Sequence, residues 1–351
     1  MLNRSLPLVA LLAVAACNQQ ADRPAQAPAA APQVDGPLSK RAIESATWTP
    51  PAAPPEGQTP PKQSTPAQPI PPQPGLIRAQ VLLERARFST GAIDGLEGSN
   101  MRQAVSAFEE AQGLPVDGIL DPDVFNRLQQ SGGGEVTATY AITQADVAGP
   151  YIGVVPTELE AQGQAASMGY GNIVEALAER FHVTEALLRA MNPGADFNRV
   201  GQQLLVPAVD RRPLDAEVDH IVIDKAEGSL RAFAEDGRLL AYFPATIGST
   251  DNPTPTGTVK VNGVARDPDY TFDPKKLSYG EVNRKVVVKP GPNNPVGVVW
   301  IDLNRPSYGI HGTPDPDKVG KTASHGCVRL TNWDVLTLAA AVKPGVTVKF
   351  T

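Results

Sequence analysis

The sequence predicts a multidomain protein in which a mainly β domain follows a small all-α domain and a small α+β module. Residues 218–351 contain short runs that alternate apolar and polar side chains, as half-buried strands do. Residues 75–131 place apolar side chains at helical intervals between Asp-Gly turns. Residues 137–208 place two strand-like runs on either side of two capped helices. A chain of 351 residues has room for two or three domains of ordinary size.

Residues 1–16 predict a signal peptide. Arg4 provides a short positive start, and the apolar run Leu8–Ala15 is too short to span a bilayer. Cys17 directly follows small residues, an arrangement that resembles the bacterial lipoprotein box, in which this cysteine carries lipid. The resemblance implies a periplasmic protein anchored through Cys17, and Asn18 in place of an acidic residue favours the outer membrane. The alternative is an ordinary signal peptide cleaved near Ala16.

Residues 17–74 predict a disordered tether, because they are rich in Pro, Ala and Gln and poor in apolar side chains. The whole chain holds 35 prolines and only 5% aromatic residues, so part of it cannot build a packed core. The net charge is −6 without a long basic run, which argues against nucleic acid as a partner.

Residues 75–131 predict three helices. Asn100 is expected to cap the second helix, and Asp121 the third. Tight turns are expected at Asp94-Gly95 and Asp117-Gly118. The pattern resembles the three-helix peptidoglycan-binding domain, although Glu109 stands where that family commonly has Gln. The alternative is a helical spacer that binds nothing.

Residues 137–208 predict a strand–helix–helix–strand unit. Asn172 and Thr184 are expected to cap its two helices, and Gln203–Val206 forms its closing strand. This order resembles the LysM glycan-binding module, except for a long insertion at Ala148–Gly169.

Residues 218–351 predict a β domain with one late helix, which Thr331 caps. Thr254–Gly257 predicts a turn, and Tyr270–Gly291, rich in charge, Pro and Gly, predicts a lid over a groove. The strands are expected at residues 220–224, 230–234, 239–247, 258–264, 286–288, 298–302 and 346–350.

The chemistry concentrates between Tyr308 and Leu330, which hold two of the four histidines and one of the two cysteines. A cysteine becomes a strong nucleophile as its thiolate, and histidine is the base that suits this task near neutral pH. His325 is too close along the chain to fold back on Cys327. His311 can reach it from a neighbouring strand and is the predicted base.

At these positions, His311-Gly312-Thr313 and Ser324-His325-Gly326-Cys327 followed by Val328 and Arg329, the chain resembles the L,D-transpeptidase (YkuD-like) catalytic family. The resemblance covers residues 218–350 and implies a β-sandwich with Cys327 at the end of a groove. It further implies that Cys327 forms a thioester with a peptidoglycan tetrapeptide stem, releases D-Ala and passes the acyl group to an amine. The product is a 3→3 cross-link or an anchored protein, and carbapenems are expected to acylate the same thiolate.

The resemblance also implies a role for each motif residue. The Gly312 carbonyl orients His311, and the backbone N–H groups of Gly326 and Cys327 hold the oxyanion. Substrate contacts are expected from Thr313, Ser324, His325 and Arg329. For Arg329 the alternative is a structural ion pair.

The expected partners are stem peptides, glycan strands, the membrane through the lipid, and a wall-anchored lipoprotein as an alternative acceptor; no cofactor or metal is expected. Three alternatives stay open. The same site can transfer the acyl group to water as a carboxypeptidase, or the chain can be a non-catalytic wall-binding scaffold. His311, His325 and Cys327 also supply three potential zinc ligands, although a fourth is missing and the His-x-Cys spacing is poor.

Overall fold

The computed structural model describes residues 36–48, 70–209, 212–248, 256–275, 282–322 and 326–351. The helices within these ranges are α1 (Lys40–Glu44), α2 (Pro74–Arg85), α3 (Ser99–Gln112), α4 (Pro122–Gly132), α5 (Gln144–Ala148), α6 (Leu159–Gln164), α7 (Ile173–Arg180), α8 (Glu185–Met191) and α9 (Asn332–Ala339), with a 3₁₀ turn at Pro316–Lys318. The strands are β1 (Thr137–Ala141), β2 (Gln203–Pro207), β3 (His220–Asp224), β4 (Ser229–Phe233), β5 (Leu239–Pro244), β6 (Thr246–Ile247), β7 (Gly257–Arg266), β8 (Tyr270–Phe272), β9 (Val286–Val288), β10 (Val299–Leu303), β11 (Gly309–His311), β12 (Val328–Arg329) and β13 (Thr347–Phe350).

The helical domain is built from two equivalent helix–turn units. The Gln80 side chain accepts hydrogen bonds from the backbone N–H groups of Asp94 and Gly95 at 3.2 and 2.8 Å. Glu109 does the same for Asp117 and Gly118 at 3.0 and 2.9 Å. Both turn glycines have φ near +70°, a conformation that favours glycine. The carboxylate of Glu109 therefore stabilises its turn, as the amide of Gln80 does. Its hydrogen bonds are made to the backbone of its own domain.

Two expectations for this part of the chain are wrong in detail. Residues 36–48, predicted as part of the tether, contain α1, and their Ile43 and Trp48 are buried in the core of the helical domain. Burial of these two apolar side chains offsets the entropy of ordering a short segment. Asn100 does not cap the second helix, which begins at Ser99 after Gly98; its amide instead donates to the Val319 carbonyl at 2.9 Å. Asp121 caps α4 as predicted.

The α+β module follows the predicted order, and its strands β1 and β2 pair antiparallel from Thr137–Pro207 to Ala141–Gln203. Asn172 caps α7 and Thr184 caps α8 with their side chains, as predicted. The insertion after the first strand carries the short helices α5 and α6.

In the described residues, the carboxyl-terminal domain contains a nine-stranded sheet in the order β5-β4-β3-β13-β7-β10-β11-β12-β6 and a separate two-stranded sheet, β8-β9. The sheet is continuous because the long strand β7 pairs with β13 along Gly257–Lys260 and with β10 along Val261–Arg266. Side chains from both halves of the sheet and from α9 share one buried core. The expected sandwich is therefore a single sheet whose halves enclose a common core. Thr331 caps α9 as predicted.

The helical domain covers the edge of this sheet that is formed by β5. Tyr242 on β5 donates its backbone N–H to the Arg87 carbonyl at 2.8 Å and accepts from the Ser89 N–H at 3.0 Å. Its side chain is fully buried in the core of the helical domain. The edge strand is thus paired and shielded, as edge strands in natural proteins generally are.

In the described ranges, no helix has the length and apolar character needed to cross a membrane.

Candidate active site

The two predicted catalytic side chains lie on neighbouring parallel strands. Strand β11 ends at His311, and Cys327 directly precedes β12. The strands pair in parallel with Ile310 opposite Val328 and His311 opposite Arg329. Both strands are short, and the backbone bonds between them fix the register that brings His311 and Cys327 to one cavity.

His311 is held rigidly. Its ring is buried and stacks on Trp300, with the ring centroids 5.5 Å apart. Its Nδ1 lies 2.7 Å from the Gly312 carbonyl oxygen. Since that carbonyl only accepts, Nδ1 carries the proton and Nε2 is left as the basic nitrogen. Burial, together with the nearby Arg329 cation, lowers the pKa of His311 to about 3.

Cys327 lies partly exposed at the cavity. Its Sγ is 3.5 Å from the carbonyl oxygen of Ser307. Burial raises the pKa of the Cys327 thiol, while the Gly309 N–H and the Arg329 cation act in the opposite direction. With the pKa of the base lowered and that of the thiol raised, the neutral thiol and neutral imidazole are the favoured resting pair.

The cavity that contains both side chains has a volume of about 650 Å³. One wall is the hairpin β8–β9, whose described residues occupy part of the segment expected as a lid. Charged side chains of both signs line it: Asp269, Asp273, Lys285 and Arg329. The Nε of Arg329 is buried and has no hydrogen-bond partner in the described part of the chain.

The hairpin is held from outside by the insertion of the α+β module. Met168 and Phe272 are buried together with Val286 and Val288 in one small apolar cluster. Met168 also exchanges backbone hydrogen bonds with the segment after β9, donating to Pro290 and accepting from Asn293 at 3.0 and 2.9 Å. At the surface Arg284 pairs with Glu160 at 3.1 Å. The α+β module therefore supports one wall of the catalytic cavity.

The remaining predicted residues separate into three groups. Thr313 does not line the cavity; it is buried, and its hydroxyl accepts from the Asp315 N–H at 3.2 Å within its own loop. Gly326 has φ of +114°, and an added Cβ would lie 3.1 Å from the Tyr308 ring, so the position requires glycine. Ser324, His325, Cys17 and the first two residues of the Thr254–Gly257 turn lie outside the described residues.

The zinc alternative depended partly on His325. Among the residues that the structure describes, no group of three or more His, Cys, Asp or Glu side chains is placed to hold a metal ion.

Comparison with known proteins adds independent findings. The L,D-transpeptidase catalytic domain family (YkuD) matches residues 218–349, and the family described as "Putative peptidoglycan binding domain" matches residues 72–128. A relative from Bacillus licheniformis, "Putative L,D-transpeptidase YkuD", is 32% identical over 183 residues, which make up 52% of this chain and 94% of that protein. The chain belongs to the L,D-transpeptidase (YkuD) family.

A second relative, "Probable L,D-transpeptidase YbiS" from Escherichia coli K12, is 30% identical over 213 residues, 56% of this chain and 67% of that protein. Both alignments are longer than the catalytic match itself, which spans positions 218–349. Since few residues follow position 349, the likeness of this L,D-transpeptidase to its relatives extends upstream of the catalytic domain.

Three residues of the site were not anticipated from the sequence. Trp300 covers the His311 ring, the Ser307 carbonyl contacts Cys327, and Asn332 touches the backbone beside Gly312. Ser307 has φ of +65°, which is costly for a residue other than glycine and is often seen at functional sites. The tertiary pairing that brings these residues together leaves no periodic signal in the sequence.

Proposed function

We propose that this protein is a cell-wall L,D-transpeptidase in which Cys327 is the nucleophile and His311 the general base. The thiol attacks the carbonyl between the third residue of a tetrapeptide stem and its terminal D-Ala, and D-Ala leaves as the thioester forms. An amine of a second stem, or of a wall-anchored protein, then attacks the thioester and releases Cys327. The observation that carries this proposal is the convergence of a neutral, oriented imidazole and a thiol on one cavity from the parallel strands β11 and β12.

The protonation states define the order of events. Because the imidazole is neutral, its Nε2 can accept the thiol proton, and because the pKa of the thiol is raised, that transfer accompanies attack and does not precede it. The imidazolium then gives its proton to the leaving amine of D-Ala. The acceptor amine loses its proton to the same nitrogen in the second half of the reaction. The Gly312 carbonyl stabilises the imidazolium while it exists.

The charge of the cavity supports a substrate with both carboxylate and ammonium groups. Arg329 and Lys285 provide cations, and Asp269 and Asp273 provide carboxylates, on the lining of the same cavity. Stem peptides carry carboxylates, which Arg329 can hold in bidentate fashion, and an acceptor amine enters as an ammonium. The tetrahedral oxyanion is assigned to the N–H groups of Gly326 and Cys327, as predicted from the sequence.

The test uses a chain that begins at Asn18, directly after Cys17, as wild type, Cys327→Ala and His311→Gln. Each form is incubated with a disaccharide-tetrapeptide, and the products are followed by mass spectrometry. A dimer that has lost one D-Ala, formed by wild type alone, supports 3→3 transpeptidation. A tripeptide without dimer favours the carboxypeptidase alternative or a protein acceptor. The same products from Cys327→Ala would remove Cys327 from the mechanism.

We also propose that the two upstream units bind the wall and that the α+β module is LysM-like. The match to a peptidoglycan-binding family supports the first unit. For the second, support comes from its strand–helix–helix–strand order and from a cavity of about 830 Å³ lined by the rings of Tyr140 and Phe181 and by arginines from both units. Retention on purified sacculi tests this: a Tyr140→Ala form that is retained as well as wild type would exclude the cavity.

Periplasmic localisation through a lipid on Cys17 remains a proposal drawn from the sequence. Metabolic labelling with palmitate should mark the wild-type chain and leave a Cys17→Ala chain unlabelled, and membrane fractionation should then place the label in the outer membrane.

A further inference from the structure

Glu179 is a partly buried residue of the α+β module whose carboxyl group faces the catalytic domain. It lies near the end of α7, and its two oxygens accept from the side-chain amide of Asn332 at 3.0 and 3.2 Å. The Tyr170 hydroxyl donates to the same carboxyl at 3.3 Å. Burial raises the pKa of Glu179 to about 8. Removing a carboxyl group from water costs free energy unless hydrogen bonds compensate it, and here Asn332 and Tyr170 provide them.

Asn332, the first residue of α9, connects this carboxyl to the catalytic loop. While its Nδ2 donates to Glu179, its Oδ1 accepts from the Val298 N–H at 3.3 Å. The same oxygen lies so close to Gly297 and Gly312 that a Cβ at either glycine would collide with it. The amide of Asn332 therefore lies between two backbone segments. Its Nδ2 is held on the far side by Glu179 and by the Pro292 carbonyl, to which it donates at 3.2 Å.

The backbone at Gly312 is the group that orients the catalytic base. Its carbonyl oxygen lies 2.7 Å from His311 Nδ1, and its N–H donates to the Val299 carbonyl at 3.3 Å. A displacement of Gly312 would rotate the imidazole and move Nε2 relative to the thiol of Cys327. Since misplacement by about 1 Å can cost about a hundredfold in rate, a contact that fixes Gly312 has kinetic consequences.

We propose that Glu179 is a positioning residue for catalysis: the α+β module, through Glu179 and Asn332, fixes Gly312 and with it the orientation of His311. The proposal rests on the function proposed above, in which His311 is the base. It assigns to the upstream module a role in the catalytic step, in addition to any role in wall binding. The insertion of the same module supports the hairpin wall of the cavity, so the module contacts the active site from two sides.

The test compares matched variants of the chain that begins at Asn18. Glu179→Met removes the acceptor and keeps the length of the side chain, so that the Asn332 Nδ2 keeps the Pro292 carbonyl and loses the carboxyl group. Glu179→Gln keeps a carbonyl acceptor for Asn332. Glu175→Met is the control, because Glu175 lies one turn earlier on α7 and accepts from Asn293 and Gly171, without contact to Asn332.

Two rates are measured: release of D-Ala from a tetrapeptide stem, and acylation of Cys327 by a carbapenem, which needs the base but no stem peptide. In Glu179→Met we expect kcat and the acylation rate to fall about ten- to a hundredfold, with KM within about twofold of wild type. Glu179→Gln and Glu175→Met should stay within about threefold of wild type in both rates.

Three results would overturn the proposal. The first is that Glu179→Met keeps the wild-type rates, and the second is that Glu175→Met is as slow as Glu179→Met. The third is that Glu179→Gln is as slow as Glu179→Met in both rates. If Glu179→Met melts below the assay temperature, Tyr170→Phe replaces it, since it removes only the hydroxyl that orients the carboxyl; a kcat lower by about three- to tenfold supports the proposal, and an unchanged kcat overturns it.

The two assays separate this proposal from the function itself. Wild type that is acylated by the carbapenem but releases no D-Ala would contradict the proposed reaction. The positioning role would still be decided by the acylation rates of the same variants.

Discussion

At the residue scale, burial determines the protonation states of the two catalytic side chains more than charge pairing does. His311 is buried against Trp300 and near a cation, and these surroundings favour its neutral form. Cys327 is likewise held toward the neutral thiol. A site of this kind keeps the nucleophile unreactive until a carbonyl substrate is present, which would protect Cys327 from oxidation in the oxidising compartment proposed for this protein.

This protonation state predicts the pH dependence of thiol reactivity. With no resting thiolate–imidazolium pair, alkylation of Cys327 by chloroacetamide should rise about tenfold per pH unit between about pH 6 and 8, following the thiolate fraction. Peptide mapping by mass spectrometry after timed quenching measures the rate at Cys327. A rate that is already constant at pH 6 would show that the thiolate forms at much lower pH and would contradict the neutral pair.

Glu179 predicts a second pH effect, on stability. Its pKa is about 8 in the folded protein against 4.5 as the ordinary value, so the folded state binds this proton more tightly than the unfolded state. The stability associated with the protonated carboxyl is complete below about pH 4.5 and is lost as pH rises through 8. Glu179→Gln carries no such proton.

The free energy of unfolding of Glu179→Gln should therefore rise relative to wild type by roughly 4 kcal/mol between pH 4.5 and 8.5, given about 1.4 kcal/mol per pKa unit. Urea titrations at both pH values measure the difference. Curves that stay parallel over this interval would mean that Glu179 titrates normally in the folded protein.

At the scale of elements, features that depend on neighbouring residues, such as helix caps, were predicted well, and contacts between distant parts of the chain were not. Asp121, Asn172, Thr184 and Thr331 cap their helices as expected, because a cap depends on residues three positions apart. Asn100 looked like the same signal, yet its amide bonds Val319, in a loop of the carboxyl-terminal domain that is remote along the chain. The caps could be predicted from the sequence because the capping side chain and the backbone N–H that it accepts from lie only two or three residues apart.

The motif residues show the same division. The sequence indicated His311, Gly312 and Cys327 as a chemical set, because a nucleophile and its base have characteristic neighbours. Asn332 and Glu179 lie far apart along the chain and have no local pattern that relates them. Thr313 was expected to contact substrate from its place in the motif, and the structure adds a hydrogen bond that the sequence did not indicate: its buried hydroxyl accepts from the Asp315 N–H.

The hairpin β8–β9 gives a prediction at this scale. Met168 is fully buried in the apolar cluster that joins the hairpin to the insertion, and Met168→Ala would leave a cavity there. A looser hairpin should raise KM for the stem peptide by about three- to tenfold and change kcat little, since His311 and Cys327 lie on other strands. Steady-state kinetics measure the two constants. A fall in kcat alone would assign the hairpin to the chemical step.

At the scale of the molecule, the described units interlock. The helical domain and the α+β module meet where Ile93 exchanges backbone hydrogen bonds with His182 and Thr184 at 2.8 and 3.0 Å. Glu84 of the helical domain lies 2.7 Å from His182 of the module, and His182 stacks on Trp333 of the catalytic domain at 4.9 Å. Buried polar contacts of this kind favour one arrangement of the units over others.

This interlocking predicts that the catalytic domain is unstable alone. A chain beginning at residue 212 would expose the β5 edge at Tyr242, the ring of Trp333 and the buried Asp334, whose carboxyl accepts from Ser89 of the helical domain at 3.0 Å. It would also lose the contact from Glu179 to Asn332. An exposed edge strand beside uncovered apolar side chains favours self-association.

We therefore expect the chain that begins at residue 212 to melt at least about 10 °C below a chain that begins at residue 36, since several kcal/mol of burial are lost. It should also elute as a dimer or aggregate in size-exclusion chromatography. The control is a chain that begins at residue 70, which lacks residues 36–69, including α1 and the buried Trp48, and keeps the edge of β5 covered. Equal melting temperatures for the chains from 36 and 212, with monomeric elution of both, would mean that the carboxyl-terminal domain folds on its own. The upstream units would then contact it without stabilising it, and a fall in kcat in the short chain would be attributable to the missing contacts of the α+β module, those of Glu179 and of Met168.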